Sequence, residues 1–258
     1  MYHSVRDAQA EGIRDPDGLC VRPGDFAAQM RFLRDTGYTT LTMRQVADVL
    51  AGSADCPTKP IALTFDDGER DFYEVAFPVL RSLGFVATAF VPAATIGDVK
   101  HMTREELRAL ARQGIEIGSH SFEHRPLSHM SRARQERQIR ESRLALQVLT
   151  GQPVVSFSYP GGYYDGATLR LLRHYGFRTA VTVTPGWYQA PGDPYELCRV
   201  RVLATHDLAT FARRVGAPPA AVGPSAKRAP RLARHGQGRS PDGPAGPAPG
   251  RPLTRADT

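Results

Sequence analysis

The sequence predicts an α/β fold, a distorted barrel of parallel strands with helices outside and a disordered tail. Three observations predict it. Short β-branched or aromatic runs alternate with helical patterns through residues 1–215, about seven times in one domain-sized stretch. That many βα units in one domain favour a distorted barrel over an open doubly wound sheet, and no Gly-rich dinucleotide turn or phosphate loop follows any strand. Composition then changes abruptly at residue 216.

Taken in order, Met1-Tyr2-His3-Ser4-Val5 reads as the end of a strand already under way, implying a truncated first strand. Pro23–Thr36 is a helix with Phe26, Met30 and Leu33 at helical spacing and Gly37 past its end. Tyr38–Leu41, Ile61–Phe65 and Phe85–Val91 follow as strands bounded by Gly, Pro or Asp. Thr103-Arg104-Glu105-Glu106 has the form of a capping box that opens a helix over Glu105–Gln113. Ile115–Ser119 is the next strand. Ser131–Thr150 is a long charged helix with Ile139, Leu144, Leu146 and Leu149 on its apolar side and Gly151 as its stop. Strands at Val154–Tyr159 and Phe177–Val183 and helices at Asp165–Tyr175 and Asp207–Val215 complete the domain. There are no internal repeats.

The 258 residues carry 33 Lys+Arg against 26 Asp+Glu, a formal charge of +7. Most of that charge is local: residues 216–258 hold seven Lys/Arg and two Asp, with nine Pro, seven Gly and hardly a large apolar side chain. Such a segment cannot bury enough surface to offset its ordering entropy, so it reads as a disordered basic tail. It is a solvated appendage and no basis for a specific nucleic-acid partner, although it could touch an anionic envelope polymer. Cys20, Cys56 and Cys198 are too few and too scattered for a disulfide framework or a Cys-rich zinc site. No apolar run approaches the ~18 residues of a membrane span. No charged-then-apolar export signal is visible.

Function is expected at the carboxyl ends of the strands, where such folds carry their chemistry. Three of those ends are unusually polar: Asp66-Asp67-Gly68, His120-Ser121-Phe122-Glu123-His124 and Pro160-Gly161-Gly162-Tyr163-Tyr164-Asp165. Two imidazoles four apart can share a metal if they face the same way, and otherwise read as surface or core histidines. Paired acids after a strand can serve catalysis or simply cap the next helix. Taken together, two imidazoles and one carboxylate make a three-ligand site with open positions, and the other carboxylate is left beside it as a base. Divided roles of this kind suit hydrolysis of an unactivated amide.

Thr64-Phe65-Asp66-Asp67-Gly68, His120-Ser121-Phe122-Glu123-His124 and Phe157-Ser158-Tyr159-Pro160-Gly161-Gly162 resemble the three main motifs of the polysaccharide deacetylases, the NodB-homology group or carbohydrate esterase family four. The likeness covers roughly residues 1–215 and implies a (β/α)7-type barrel. It implies Asp66 as catalytic base and Asp67, His120 and His124 as ligands of a divalent metal, usually Zn2+. It implies a substrate and oxyanion contact near Tyr159 and Gly161 and an N-acetylated glycan as substrate, hence an extracellular or cell-envelope location. Ser121 is expected to fix its loop.

Two positions depart from the common family pattern. The third motif has Ser158 where many members carry an Arg that pairs with the base, and the late stretch Glu196–Val202 lacks the His that often serves as acid. Tyr2-His3-Ser4-Val5 and the Leu-x-Arg-Val stretch ending at Val200 resemble the poly-N-acetylglucosamine deacetylase branch. That branch makes His3 the expected general acid and Arg199 the expected partner of Asp66. His3 also reads as a frayed terminal residue, and Arg199 or Arg201 as surface charge. Rival functions are a catalytically weakened carbohydrate-binding homologue and an amidohydrolase of small amides. His101, His129, His174, His206 and His235 have no partner at ligand spacing, and His206 reads as structural. Trp187 and Tyr188 are expected either to stack on a sugar or to anchor their loop.

Overall fold

The computed structural model describes residues 1–186 and 193–216. The expectations for Trp187, Tyr188 and the tail beyond residue 216 lie outside these residues. The main sheet is parallel throughout and contains six strands: β5 (Thr64–Phe65), β6 (Thr88–Val91), β7 (Glu116–Ser119), β8 (Ser156–Ser158), β9 (Thr179–Pro185) and β10 (Leu197–Arg199). Their spatial order follows the sequence, β5 next to β6 and so on to β10. Two further parallel pairs flank it. β1 (Ser4–Val5) lies beside β2 (Cys20–Val21), and β3 (Thr39–Leu41) beside β4 (Pro60–Ala62).

The opening residues join the two ends of the sheet. Tyr2 N–H donates to Thr64 O (2.8 Å) and Asp66 N–H to Tyr2 O (3.0 Å), a parallel bridge to β5. On the other side the Met1 amine donates to Val200 O (2.8 Å) and Val202 N–H to Met1 O (3.0 Å). Met1–Tyr2 therefore occupies a strand position between β5 and the segment after β10, and the curled sheet becomes a distorted barrel. Tyr2 is anchored there by a ring stacked on Phe65 and edge-on to Phe26, and its hydroxyl donates to Gln29.

The helices pack outside: α1 (Pro23–Asp35), α2 (Met43–Leu50), α3 (Phe77–Ser82), α4 (Arg104–Arg112), α5 (Arg132–Thr150), α6 (Gly166–His174) and α7 (Leu208–Val215). The capping box at Thr103 and Glu106 forms as its sequence predicts, with side chain and backbone bonded reciprocally. Asp165 caps α6 through Ala167 and Thr168, and Asp207 caps α7 through Thr210. Gly151 ends α5 with φ of 69°.

The structure also corrects the sequence reading. The strands are shorter than the apolar runs, because residues such as Phe85 and Phe177 pack in the connections entering the sheet. Leu144 is 51% exposed and not on the buried side of α5, which comprises Gln135, Gln138, Ile139, Ser142, Leu146 and Leu149. Leu144 lies five residues from Ile139, about 140° round a helix turning ~100° per residue. Helix α2 and the widened turn Phe72–Ala76 that runs into α3 were not assigned from sequence. Pro78 disguises the latter, since proline breaks a helix interior but fits its first turn.

Candidate active site

The three polar strand ends converge at one end of the barrel. β5 runs into Asp66 and Asp67, β7 into His120 and its loop, and β8 into the Pro160–Gly162 turn. Their parallel, in-sequence order makes this unavoidable: adjacent parallel strands deliver their carboxyl ends to the same side. Gly118 on β7 lets the sheet close here, because a Cβ at that position would lie 2.6 Å from the Phe90 ring. Three non-glycine residues among those described have positive φ: Asp67 (73°), Ser121 (64°) and His124 (55°). All three lie in the two acid and histidine loops. Left-handed backbone at non-glycine residues costs energy and concentrates at functional sites. Asp67 does not cap a helix; its left-handed turn aims the carboxylate back at the histidines.

Asp67, His120 and His124 present ligand atoms that all lie within 4.8 Å of one another. Asp67 Oδ1 is 3.3 Å from His120 Nε2 and 3.1 Å from His124 Nε2. His120 Nδ1 faces Ser158 O at 2.7 Å, and only a protonated nitrogen can donate to a carbonyl. In the neutral ring, His120 Nε2 then carries a lone pair directed at the Asp67 oxygen. That oxygen is buried and accepts no well-formed hydrogen bond. Lone pairs converging on one point repel unless a cation lies between them, so the donor set fits a divalent ion. Without the cation a proton can take the same place, because the carboxylates that would attract a metal also favour the imidazolium. Burial opposes charging of His120, yet Asp67 and Asp66 outweigh it and raise its pKa. Burial opposes the Asp67 carboxylate too, but the two histidines hold it far below the usual carboxylate range. Ser121 Oγ accepts from His124 N–H (3.1 Å), the loop-fixing role expected of it.

Asp66 is buried (3% exposed) and paired with Arg199 (7% exposed). The guanidinium grips both carboxylate oxygens, Nη1 to Oδ1 and Nη2 to Oδ2, each at 2.7 Å. Its other donors are also engaged, Nε by Thr182 O (2.9 Å), Nη1 by Thr64 Oγ1 (3.3 Å) and Nη2 by Ser158 Oγ (3.0 Å). The hydroxyl of Ser158 in turn donates to Asp66 Oδ2 (3.1 Å). Thus the cation missing from the third motif arrives from β10, and Ser158 fills the space it leaves. Burial raises the Asp66 pKa, but Arg199 overcomes this and drives it well below the carboxylate range.

His3 follows the bridge residue Tyr2. It is half-buried and close enough to Asp66, Asp67 and His120 to interact with all three electrostatically. Burial lowers its pKa, and the two aspartates only partly offset this. Gly161 sits in the turn after β8 with φ of 59°. The turn's hydrogen bonds use the N–H groups of Gly162 and Tyr163, not that of Gly161. A Cβ on Gly162 would meet Val183 Cγ2 at 2.3 Å, so the turn can press on β9 only with glycine there. Tyr159 is placed differently from the sequence expectation of a substrate contact. It is fully buried, its N–H donates to Val181 O and its hydroxyl to Tyr195 O. It supports the turn from beneath, stacked on Tyr164. His206 Nδ1 accepts from Leu203 N–H, a structural contact. The sequence reading missed His101, which the fold brings near Asp67 and His124 although no spacing rule links them.

Comparison with known proteins supplies the family. The polysaccharide deacetylase family matches residues 53–180. The protein YxkH of Bacillus subtilis, assigned by name to the polysaccharide deacetylases, is 33% identical over 202 residues, covering 78% of this chain and 70% of that protein. The Escherichia coli K12 poly-β-1,6-N-acetyl-D-glucosamine N-deacetylase is 33% identical over 86 residues, 33% of this chain but only 12% of the E. coli protein. Among solved structures, the Streptococcus pyogenes deacetylase PplD in complex with acetate superposes with a TM-score of 0.77 at 25% identity, covering 83% of this chain and 96% of that one. The chain belongs to the polysaccharide deacetylase family. It is therefore a hydrolase of the polysaccharide deacetylase class. No helix among the described residues is long and apolar enough to cross a membrane.

Proposed function

We propose that this chain removes N-acetyl groups from an amino-sugar polymer of the cell envelope, using a divalent cation held by Asp67, His120 and His124. The observation that carries the reading is the pairing of two carboxylates with divided surroundings. Asp67 faces two imidazole nitrogens, and Asp66 faces a guanidinium. A bound cation, zinc by the nitrogen-rich donor set, supplies Lewis-acid polarisation of the acyl oxygen.

The protein's own groups do the rest. Asp66 Oδ2 has both lone pairs engaged, by Arg199 Nη2 and Ser158, whereas Oδ1 accepts only from Arg199 Nη1. One lone pair of Oδ1 is left to take the proton of the attacking water. Arg199 keeps that carboxylate ionised and oriented. The Gly161 N–H, which the hydrogen bonds of its own turn leave unused, donates to the oxyanion as the carbonyl becomes tetrahedral. His3 delivers a proton to the amine nitrogen as the carbon–nitrogen bond breaks; burial lowers its pKa, which makes the imidazolium a readier donor and a scarcer one. Overall, hydroxide adds to the acyl carbon and a proton to the nitrogen, giving acetate and a free amino sugar. Acetate is also the molecule bound in the S. pyogenes relative. The Arg199 pair weighs against a weakened binding homologue, because a lectin has no use for a clamped base.

The test is acetate release from N-acetylglucosamine oligomers. Chelation is expected to abolish it and added Zn2+ to restore it. Acetate release by protein shown to be metal-free would overturn the metal assignment. Hydrolysis of small amides alone would overturn the glycan.

A further inference from the structure

His3 is placed by its neighbours in the chain. Tyr2, before it, is locked to β5 through Thr64 and Asp66. Ser4, after it, donates its hydroxyl hydrogen to Asp71 Oδ2. Arg6 Nε donates to the same oxygen at 2.7 Å, and Arg6 Nη2 reaches Glu69 at 3.2 Å. Asp71 is 6% exposed, and its second oxygen, Oδ1, is buried with no partner among the described residues. A buried carboxylate left half-satisfied is costly, and Arg6 offsets only part of that cost. The proposed chemistry gives Asp71 no role. Yet it lies in the loop that carries Asp66, Asp67 and Glu69, so one loop touches the His3 segment on both sides.

We propose that Ser4, Arg6 and Asp71 are positioning residues that lock the segment bearing His3 to the loop bearing Asp66 and Asp67. The clamp fixes the proton donor relative to the base. The inference rests on the reading of His3 as general acid. It goes beyond that reading by naming what holds the imidazole in place. Two short strands alone would not suffice, because β1 and β2 pair over only two residues each.

The experiment compares two substrates on the full chain. An N-acetylglucosamine oligomer expels an amine that must be protonated, whereas p-nitrophenyl acetate expels a phenolate that need not be. His3→Ala is expected to lower kcat on the oligomer by about 10²–10⁴-fold and to leave ester turnover within about threefold. Ser4→Ala and Asp71→Asn are expected to lower oligomer kcat by about tenfold or more, with KM and ester turnover nearly unchanged. Ser4→Thr, which keeps the hydroxyl, should retain the wild-type ratio. Hydrogen exchange of the peptide spanning residues 1–6 should accelerate in Ser4→Ala and Asp71→Asn. Equal losses on both substrates, or no loss on either, would overturn the clamp while leaving His3 as acid if His3→Ala still separates the two. If His3→Ala does not separate them, the acid assignment fails and the clamp with it.

Discussion

Replacing Arg199 by Met tests the central geometry. Met fills much of the volume of the arginine stem, so the change removes five donated hydrogen bonds and a charge while opening little cavity. Asp66 would keep only the Ser158 hydroxyl and the Tyr2 main-chain contact of its own N–H. Removing one partner of a buried ion pair typically costs about 3–5 kcal/mol, because the survivor stays desolvated and unpaired. With a urea slope of ~3 kcal/mol/M, the unfolding midpoint should fall by about 1–1.7 M at unchanged slope. Deacetylation should fall as well, by about 10²-fold, since a base without its orienting group no longer points Oδ1 at the water. The decisive comparison is a double-mutant cycle. Asp66→Asn should cost far less stability in the Arg199→Met background than in wild type, because no unpaired charge then remains. A midpoint within about 0.2 M of wild type, or additive losses, would refute the clamp between these residues.

Asp66→Asn alone should lower kcat by about 10²–10⁴-fold with metal still bound, as read by elemental analysis beside acetate release. His120→Ala should lose metal affinity by about tenfold or more, measured by competition with a chelating dye. Asp165→Ala should cost about 1 kcal/mol in denaturant unfolding through loss of the α6 cap. Burial opposes the Asp165 carboxylate, but hydrogen bonds from Thr168, Gln135 and Ala167 lower its pKa. Its contribution should be present above its unfolded value of about 3.9 and fade as pH falls through the lower folded value. That fading should vanish in Asp165→Asn, as followed by unfolding at a series of acidic pH values. Gly118→Ala should destabilise by about 1–3 kcal/mol, since its methyl overlaps the Phe90 ring.

Local chemistry was legible in the sequence. Cap residues, helix stops and the order of strands and helices follow from short-range sterics and hydrogen bonds, so the Thr103 cap, the Gly151 stop and the helices that open at Asp165 and Asp207 are legible without a fold. The candidate trio was legible too, because Asp67 follows β5 and His120 and His124 follow β7 in characteristic motifs, two strand ends that the sheet brings together across β6. The family resemblance offered Arg199 as the partner of Asp66, and tertiary structure decided between that pairing and a surface charge. Arg199 lies 133 residues from Asp66, and only barrel closure places β10 within reach of β5's end. It likewise decided that Met1–Tyr2 completes the ring, that Asp71 reaches back to Ser4, and that Leu144 faces water. Such contacts depend on where the backbone returns in space, and no spacing along one strand or helix encodes that.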